Sequence, residues 1–407
     1  MLRSSSRGAV TDGIHEPGDS VSRGIAAGPR ILILYSRTGG GHTRVAETLA
    51  AQLRQLRPSS EIVMLDGLER TDWGVRVDPA KVFLTLTTRF IRLYNLNYRL
   101  TNSRHGVPLL RRSIRMTVGR TVTRALQEHQ PDLVVSTHHF LSPSAIIGAG
   151  TSAPWVMIVS DLGEPHRLWF DPRIHSVVVP SDDMLAYAQR CLEVDRGGFA
   201  SQPALLNLGF PIASGLFAPS VTSPKERQKR LLVMGGGAGT GSLDALVAGL
   251  SRGFPDHRIV VVCGWNARLR AKLERSAQPN VQVLGFVDNV PELMAASDMV
   301  ITKAGPVTIM EAVAAGKPIV VTDWVGLQER DNVQFVVDHG LGIYSERVSD
   351  LPQAVQTIYE RYEAFVSAKP RNVDHGPDRI ARYLLEITDA ASANALSSRV
   401  PLGDPHG

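Results

Sequence analysis

The chain of 407 residues contains only two cysteines, Cys191 and Cys263, too few for a disulfide framework and without the paired spacing of a zinc site. Both read as buried thiols in a reducing compartment. No apolar run approaches the roughly 18–20 residues that span a bilayer. Residues 1–29 are Ser-, Gly- and Arg-rich and lack the apolar segment of a secretory signal, so they read as a disordered leader, and residues 390–407 as a disordered tail. Acidic residues are missing altogether between Asp78 and Glu128, a gap that sets one part of the chain apart.

What remains is a globular composition, 43% hydrophobic and 20% charged, long enough for two doubly wound domains. Residues 1–210 carry 24 Lys/Arg against 18 Asp/Glu, so the first half holds more than the whole net charge of +5. Within the acid-free gap, residues 81–124 interleave ten Lys/Arg with Phe83, Leu84, Phe90, Leu93, Tyr94 and Leu96. That mixture suits contact with anionic lipid headgroups, each nearby cation contributing about 1 kcal/mol. The blander alternative is a solvated helix pair with snorkelling Arg stems. No nucleic-acid motif accompanies the charge.

Two strand–glycine turn–helix units begin the two halves. Ile31–Tyr35 leads into Ser36-Arg37-Thr38-Gly39-Gly40-Gly41-His42 and a helical pattern, then a strand at Glu61–Leu65 ending in Asp66. Leu231–Met234 leads into the turn Gly235 to Gly241, with Gly236, Gly237, Gly239 and Thr240 placed to nest a diphosphate. Neither turn matches the dinucleotide fingerprint, because the third glycine is displaced. Asp66 keeps an NAD reading open as a minor alternative. Further strands are expected at Leu133–Ser136, Trp155–Ser160, His175–Val179, Ile259–Cys263 and Val281–Leu284, with ligands beyond their C-terminal ends. There lie His138, His139, Asp161, His166 and Trp169, with His42 sharing the pocket. The histidines and acids invite a metal, but no metal-ligand spacing supports one.

The stretch Val281–Asn332 is the most informative. Strands Met299–Thr302 and Pro318–Thr322 flank a helix that starts after Lys303-Ala304-Gly305-Pro306. Pro306 suits a first helical turn, and the helix N-terminus attracts an anion. Thr308 and Glu311, three apart, share a face on which a hydroxyl would hold phosphate and a carboxylate would accept ribose hydroxyls.

Taken together, Thr38–His42, Ser160-Asp161-Leu162 with His166 and Trp169-Phe170, Met234–Gly241 and Gly285–Asn332 resemble the monogalactosyldiacylglycerol synthases and processive diacylglycerol glucosyltransferases, relatives of the peptidoglycan transferase MurG. The resemblance implies an α/β GT-B fold: a first Rossmann-like domain at 30–217, a linker at 218–230, a nucleotide-sugar domain at 231–375, and a closing helix at 376–389 crossing back to the first domain. It implies transfer of galactose or glucose from a UDP-sugar to diacylglycerol with inversion, without a metal, on the inner face of the cell membrane. It implies that backbone groups of Phe286 and Val287 pair with uracil, and that Gln328, Glu329 and Asn332 read the donor sugar. His42 would be the base, with Asp161 orienting it or the acceptor, and Gly40, Gly41, His166 and Trp169 would line the acceptor side. Arg37, Val307 and Leu327 depart from the family pattern. The alternatives are a polyprenyl-diphosphate or soluble acceptor, a UDP-sugar 2-epimerase, and a non-catalytic nucleotide-binding protein.

Overall fold

The computed structural model describes residues 28–146, 153–194, 202–212, 229–237, 239, 242–276, 278–368 and 375–397. The chain builds two all-parallel six-stranded sheets. The first has strands β1 (Arg30–Tyr35), β2 (Glu61–Asp66), β3 (Leu133–Ser136), β4 (Trp155–Ile158), β5 (Ser176–Val179) and β6 (Ala204–Asn207), in the order β2-β1-β3-β4-β5-β6. The second has β7 (Arg230–Met234), β8 (Arg258–Val262), β9 (Val281–Leu284), β10 (Met299–Lys303), β11 (Ile319–Asp323) and β12 (Gly342–Tyr344), in the order β12-β11-β10-β7-β8-β9. Continuous Val/Ile/Leu runs produce such strands because helices cover both sheet faces. The short edge strands β6 and β12 carry too little pattern to be expected from sequence.

The helices of the described residues are α1 (Gly41–Leu56), α2 (Pro79–Arg89), α3 (Ile91–Thr101), α4 (Gly106–His129), α5 (Pro143–Ile146), α6 (Asp182–Val194), α7 (Leu243–Gly253), α8 (Ala267–Ser276), α9 (Val290–Ala295), α10 (Pro306–Ala314), α11 (Gly326–Asp338), α12 (Leu351–Glu360), α13 (Tyr362–Ser367) and α14 (Gly376–Ser397). One apolar cluster runs from Ile31, Ile33 and Leu49 of the first sheet and α1 through Ile380 and Leu384 of α14 to Val300, Ile309 and Val321 of the second. The outer faces have their own cores, one under α4 and one containing Leu246, Val247 and Val355. The facing sides of the two halves thus share a single interior, and α14 is part of it.

The expected crossing helix is present. Asp378 accepts from Gln52 at 3.4 Å, and Asp389 takes both guanidinium nitrogens of Arg57 at 2.6 and 2.8 Å. The expected tail from 390 needs correction, because α14 continues to Ser397. Its last turns read Ala390-Ala391-Ser392-Ala393-Asn394-Ala395-Leu396, without Gly or Pro, and alanine propagates a helix at least cost. The leader needs a smaller one: Pro29 already accepts a hydrogen bond from Glu61 at 3.0 Å. Residues 1–27 and most of the linker, 218–228, lie outside the described residues, and Arg230 already belongs to β7.

Gly376 starts α14 against the loop after β6, where an added Cβ would lie 2.3 Å from the Phe210 carbonyl oxygen. Backbone on the receiving side cannot yield as a side chain tip would. Gly376→Ala is therefore expected to destabilise the chain by about 1–3 kcal/mol in urea unfolding. An unchanged midpoint would show that α14 is not held against that loop.

Candidate active site

In each sheet the strand order reverses once, between β1 and β3 and between β7 and β10, and such switch points open crevices beyond the strand ends. The two crevices face one another. At the first, Gly39 and Gly40 take φ of 75° and 86°, a left-handed region costly for any residue with a Cβ, and α1 begins at Gly41. At the second, α10 begins with Pro306 in its first turn, as expected. A Cβ on Gly41 would lie 3.4 Å from Val307, so the two helix starts almost touch. Val307 fills the space between them. One turn on, Arg44 Nε lies 3.2 Å from Glu311 Oε1, with the Glu311 side chain only 5% exposed. Burial pushes the Glu311 carboxyl up, opposed by Arg44.

The second glycine turn is fixed from two sides. Gly239 donates to the Gly236 carbonyl at 3.0 Å and has φ 56°, with no room for a Cβ beside the Cys263 carbonyl. Cβ atoms built on Gly236 and Gly305 would meet Lys303 Cε and Nζ respectively, each at 3.2 Å. The Lys303 ammonium therefore stands between the turn and the start of α10. Gly305 is wanted for this room and not for turn geometry, since its φ is −71°. Thr308 sits half-buried in the first turn of α10, and Thr240 lies outside the described residues. Phe286 and Val287 make no backbone hydrogen bond to another described residue, which leaves their amides and carbonyls open.

The residues expected to read a sugar are engaged by the protein. Glu329 accepts from Lys303 Nζ at 2.5 Å and from the Val325 amide at 2.8 Å, closing the first turn of α11. Gln328 accepts from the Tyr94 hydroxyl, and the neighbouring Leu327 amide donates to Asn95 at 3.0 Å, so α3 of the first half docks on α11 of the second. Asn332, 1% exposed, accepts from the Leu162 amide at 3.1 Å and donates to the Ala304 carbonyl at 2.9 Å, clipping the halves together. Sequence reasoning missed Tyr94, Asn95 and Arg44 as cross-domain partners, because no local pattern distinguishes them from other residues of amphipathic helices.

Four imidazoles pack around the first crevice. His42 Nδ1 lies 2.7 Å from the Thr137 carbonyl and 3.0 Å from Ser160 Oγ. A carbonyl only accepts, so Nδ1 carries the proton and Nε2 keeps its lone pair. Burial lowers His42 to about 4, so it is neutral at pH 7. His138 stands 4.5 Å away, centroid to centroid, its Nδ1 accepting from the Phe140 amide and its Nε2 donating to Thr38 at 3.0 Å. His139 stacks on His138 at 4.7 Å. His166 accepts from the Leu168 amide and donates to Thr101 at 3.2 Å, tying this loop to the end of α3. Burial holds all three low, to about 4 for His166.

Asp161 is not the orienting partner of His42: that role falls to the Thr137 carbonyl. Asp161 instead accepts from Trp169 Nε1 at 3.0 Å. Trp169 is fully buried, its ring 6.2 Å from that of His42, so it packs behind the histidine cluster. Asp66, the candidate ribose acid of the NAD alternative, is occupied by Arg37 at 3.0 Å and by the Leu68 amide.

Burial raises Asp161 from 3.8 to about 6, against the stabilising indole hydrogen bond. The folded state thus prefers the protonated carboxyl. This contribution to stability is complete below pH 3.8 and lost as the pH rises through about 6. Asp161→Asn keeps an acceptor for Trp169 without the charge. Urea unfolding from pH 4 to 7 should show the variant gaining on the parent by on the order of 2–3 kcal/mol up to about pH 6, then levelling. A difference flat over this window would mean that the carboxyl is not desolvated.

Two family models match the chain: monogalactosyldiacylglycerol (MGDG) synthase over residues 42–193, and the glycosyltransferase family 28 C-terminal domain over residues 230–373. The chloroplastic monogalactosyldiacylglycerol synthase of Spinacia oleracea is 30% identical over 353 residues, covering 80% of this chain and 65% of its own length. The chain thus spans just under two thirds of that relative. A probable monogalactosyldiacylglycerol synthase 2 of Oryza sativa subsp. indica is 31% identical, covering 80% of this chain and 72% of its own. Among solved structures, MurG of Acinetobacter baumannii superposes with a TM-score of 0.54 at 14% identity, covering 88% of this chain and 99% of its own. The UDP co-structure of MnaA from S. aureus does so at 0.55 and 13% identity, covering 88% and 97%. The architecture is therefore GT-B, and the chain belongs to the monogalactosyldiacylglycerol synthase family.

Proposed function

We propose that the protein transfers a hexose from a UDP-sugar to the free hydroxyl of diacylglycerol, with inversion at the anomeric carbon. One observation carries this reading: two helix N-termini, one from each half, converge on a single gap that holds the Lys303 ammonium and borders His42. Positive dipole ends and a cation suit a diphosphate that gains charge as it leaves. Gly236, Gly237 and Gly239 cradle that diphosphate with Gly305, Pro306 and Thr308, and Glu311 takes the ribose once Arg44 lets go. A UDP-bound structural neighbour and the galactolipid synthases among the relatives support donor and acceptor respectively.

In the proposed step the acceptor hydroxyl attacks the anomeric carbon opposite the diphosphate. The bond from that carbon to the diphosphate oxygen breaks with its electron pair, and the hydroxyl proton passes to His42 Nε2. Burial makes His42 a weak base in the resting site, which favours a late proton transfer, when the departing diphosphate is negative and stabilises an imidazolium. Gln328, Glu329 and Asn332 read the sugar after exchanging their protein partners for its hydroxyls. No step is routed through a metal.

The acceptor side has a matching surface. Leu93, Leu96 and Leu100 of α3, at helical spacing, are 54–63% exposed, while Tyr94 and Asn95 on the same helix face the second half. Phe90, Leu109 and Met116, among the basic residues of 81–124, are exposed as well. No helix among the described residues is long and apolar enough to cross a membrane. The proposed docking is therefore peripheral, on anionic headgroups of the inner face of the cell membrane, without a span.

The test is incubation with UDP-galactose or UDP-glucose and diacylglycerol vesicles, with mass analysis of the lipids. His42→Ala should lower turnover by about 10²–10⁴-fold at nearly unchanged UDP affinity. Glu311→Ala should weaken UDP binding by about ten-fold or more in calorimetry. Donor consumption without an acceptor would favour the epimerase instead, and UDP binding without acceptor-dependent release a non-catalytic role. For the membrane face, Leu93→Glu with Leu100→Glu should abolish flotation with anionic liposomes and leave UDP affinity intact. Flotation equal to the parent's would remove this surface from the account.

A further inference from the structure

Beyond the ends of β8 and β9, two large aromatic side chains stand in solvent against one another. The rings of Trp265 and Phe286 stack at 3.9 Å with an interplanar angle of 13°. They are 71% and 52% exposed, so the pair is not part of any core. A stacked pair kept this open leaves most of its aromatic surface hydrated, an arrangement that gains from a third planar ring.

The position of the pair is tightly set. The Trp265 amide donates to the Gly237 carbonyl at 2.9 Å, and Asn266 donates from Nδ2 to the Gly239 carbonyl at 3.2 Å. Asn266 Oδ1 meanwhile accepts from the Leu269 amide at 2.9 Å at the start of the following helix. Between them Gly264, at φ 57°, brings the loop so close that a Cβ would lie 2.3 Å from the Gly237 carbonyl oxygen. The tryptophan is therefore bonded directly to the glycine turn assigned to the diphosphate. On the other strand end, Phe286 and Val287 have open backbone groups.

We propose that Trp265 is the base-stacking residue of the donor site. The pyrimidine of a nucleoside diphosphate extends the Trp265–Phe286 stack by one ring, and its edge meets the amides and carbonyls of Phe286 and Val287. Stacking supplies affinity for any base, and the backbone edge supplies the choice among them. This assignment rests on the donor reading of the second half.

The two stand apart in one calorimetric series using UDP and inorganic pyrophosphate with the full chain, Trp265→Ala and Trp265→Phe. Because the side chain is exposed, both variants should keep the parent's thermal midpoint. UDP affinity should fall about ten-fold in Trp265→Ala and stay within about three-fold in Trp265→Phe, with pyrophosphate affinity unchanged in both. UDP should also quench indole fluorescence in the parent, and less in Trp265→Ala. If the parent binds UDP and Trp265→Ala binds it equally well, the stacking role is overturned and the donor reading survives. Equal losses for UDP and pyrophosphate would overturn it too, by showing that the loop only shapes the glycine turn. A parent that binds no UDP would overturn the donor reading and this assignment with it.

Discussion

A buried carboxylate bridges the two halves of the molecule at the floor of the cleft. Glu311 is desolvated in the first turns of α10 and finds its countercharge on Arg44, in α1 of the other half. A charge left there without a partner would be expensive, and the approach of the two helices supplies one. The close fit of Gly41 against Val307 follows from that arrangement, as does the sharing of one apolar interior by both sheets. The gap between the helix starts is thus narrow and lined by two helix N-termini and the Lys303 ammonium before any ligand arrives. A preorganised field of this kind can stabilise charge that develops during a reaction without first having to reorient.

The same polar groups that close the cleft are those that a nucleotide-sugar would need. Arg44 on Glu311, Lys303 on Glu329, Tyr94 on Gln328 and the Asn332 clip each occupy a group suited to a hydroxyl or an anion. Each protein contact can be exchanged for a ligand contact of similar kind, so opening and filling the cleft trade hydrogen bonds at small net cost. The apolar core through α14 is not traded, and it would keep the halves tethered while the polar rim is remade.

Much of this was legible in the sequence. Ten of the twelve described strands, the glycine turns, Pro306 at a helix start and the closing helix all follow from local chemistry: β-branched runs, glycine in left-handed turns, and proline where its missing N–H costs nothing. Cross-domain partners were not legible, because a pairing such as Arg44 with Glu311 is separated by 267 positions and depends on how two sheets face one another. The electrostatics of the histidine cluster were equally hidden. His42 reads as an imidazole of ordinary basicity until its burial beside His138 and its hydrogen bond to Thr137 are known. The hydrogen bond of Asp161 was hidden for a related reason: the resemblance implies that it orients His42 or the acceptor, and only the folded loop shows its carboxylate accepting from the Trp169 indole instead of from His42.

Helix α3 connects the two ends of the proposed reaction. None of its described residues is buried in the ordinary sense, yet its two long faces do different things. Tyr94 and Asn95 grip the start of α11, where the residues proposed to read the sugar lie, while Leu93, Leu96 and Leu100 face outward. A helix with its side chains is about 10 Å across. If the leucine face rests in the headgroup region, the sugar loop is held about that far above it, within reach of a glycerol hydroxyl lifted slightly from the bilayer. His166, bonded to Thr101 at the end of the same helix, extends the link to the histidine cluster. Seating α3 on a surface would therefore bear on both the donor loop and the acceptor pocket at once. The apolar face turned outward from this helix, wasteful in a protein that only binds a nucleotide, is intelligible in one that takes its acceptor from a lipid layer.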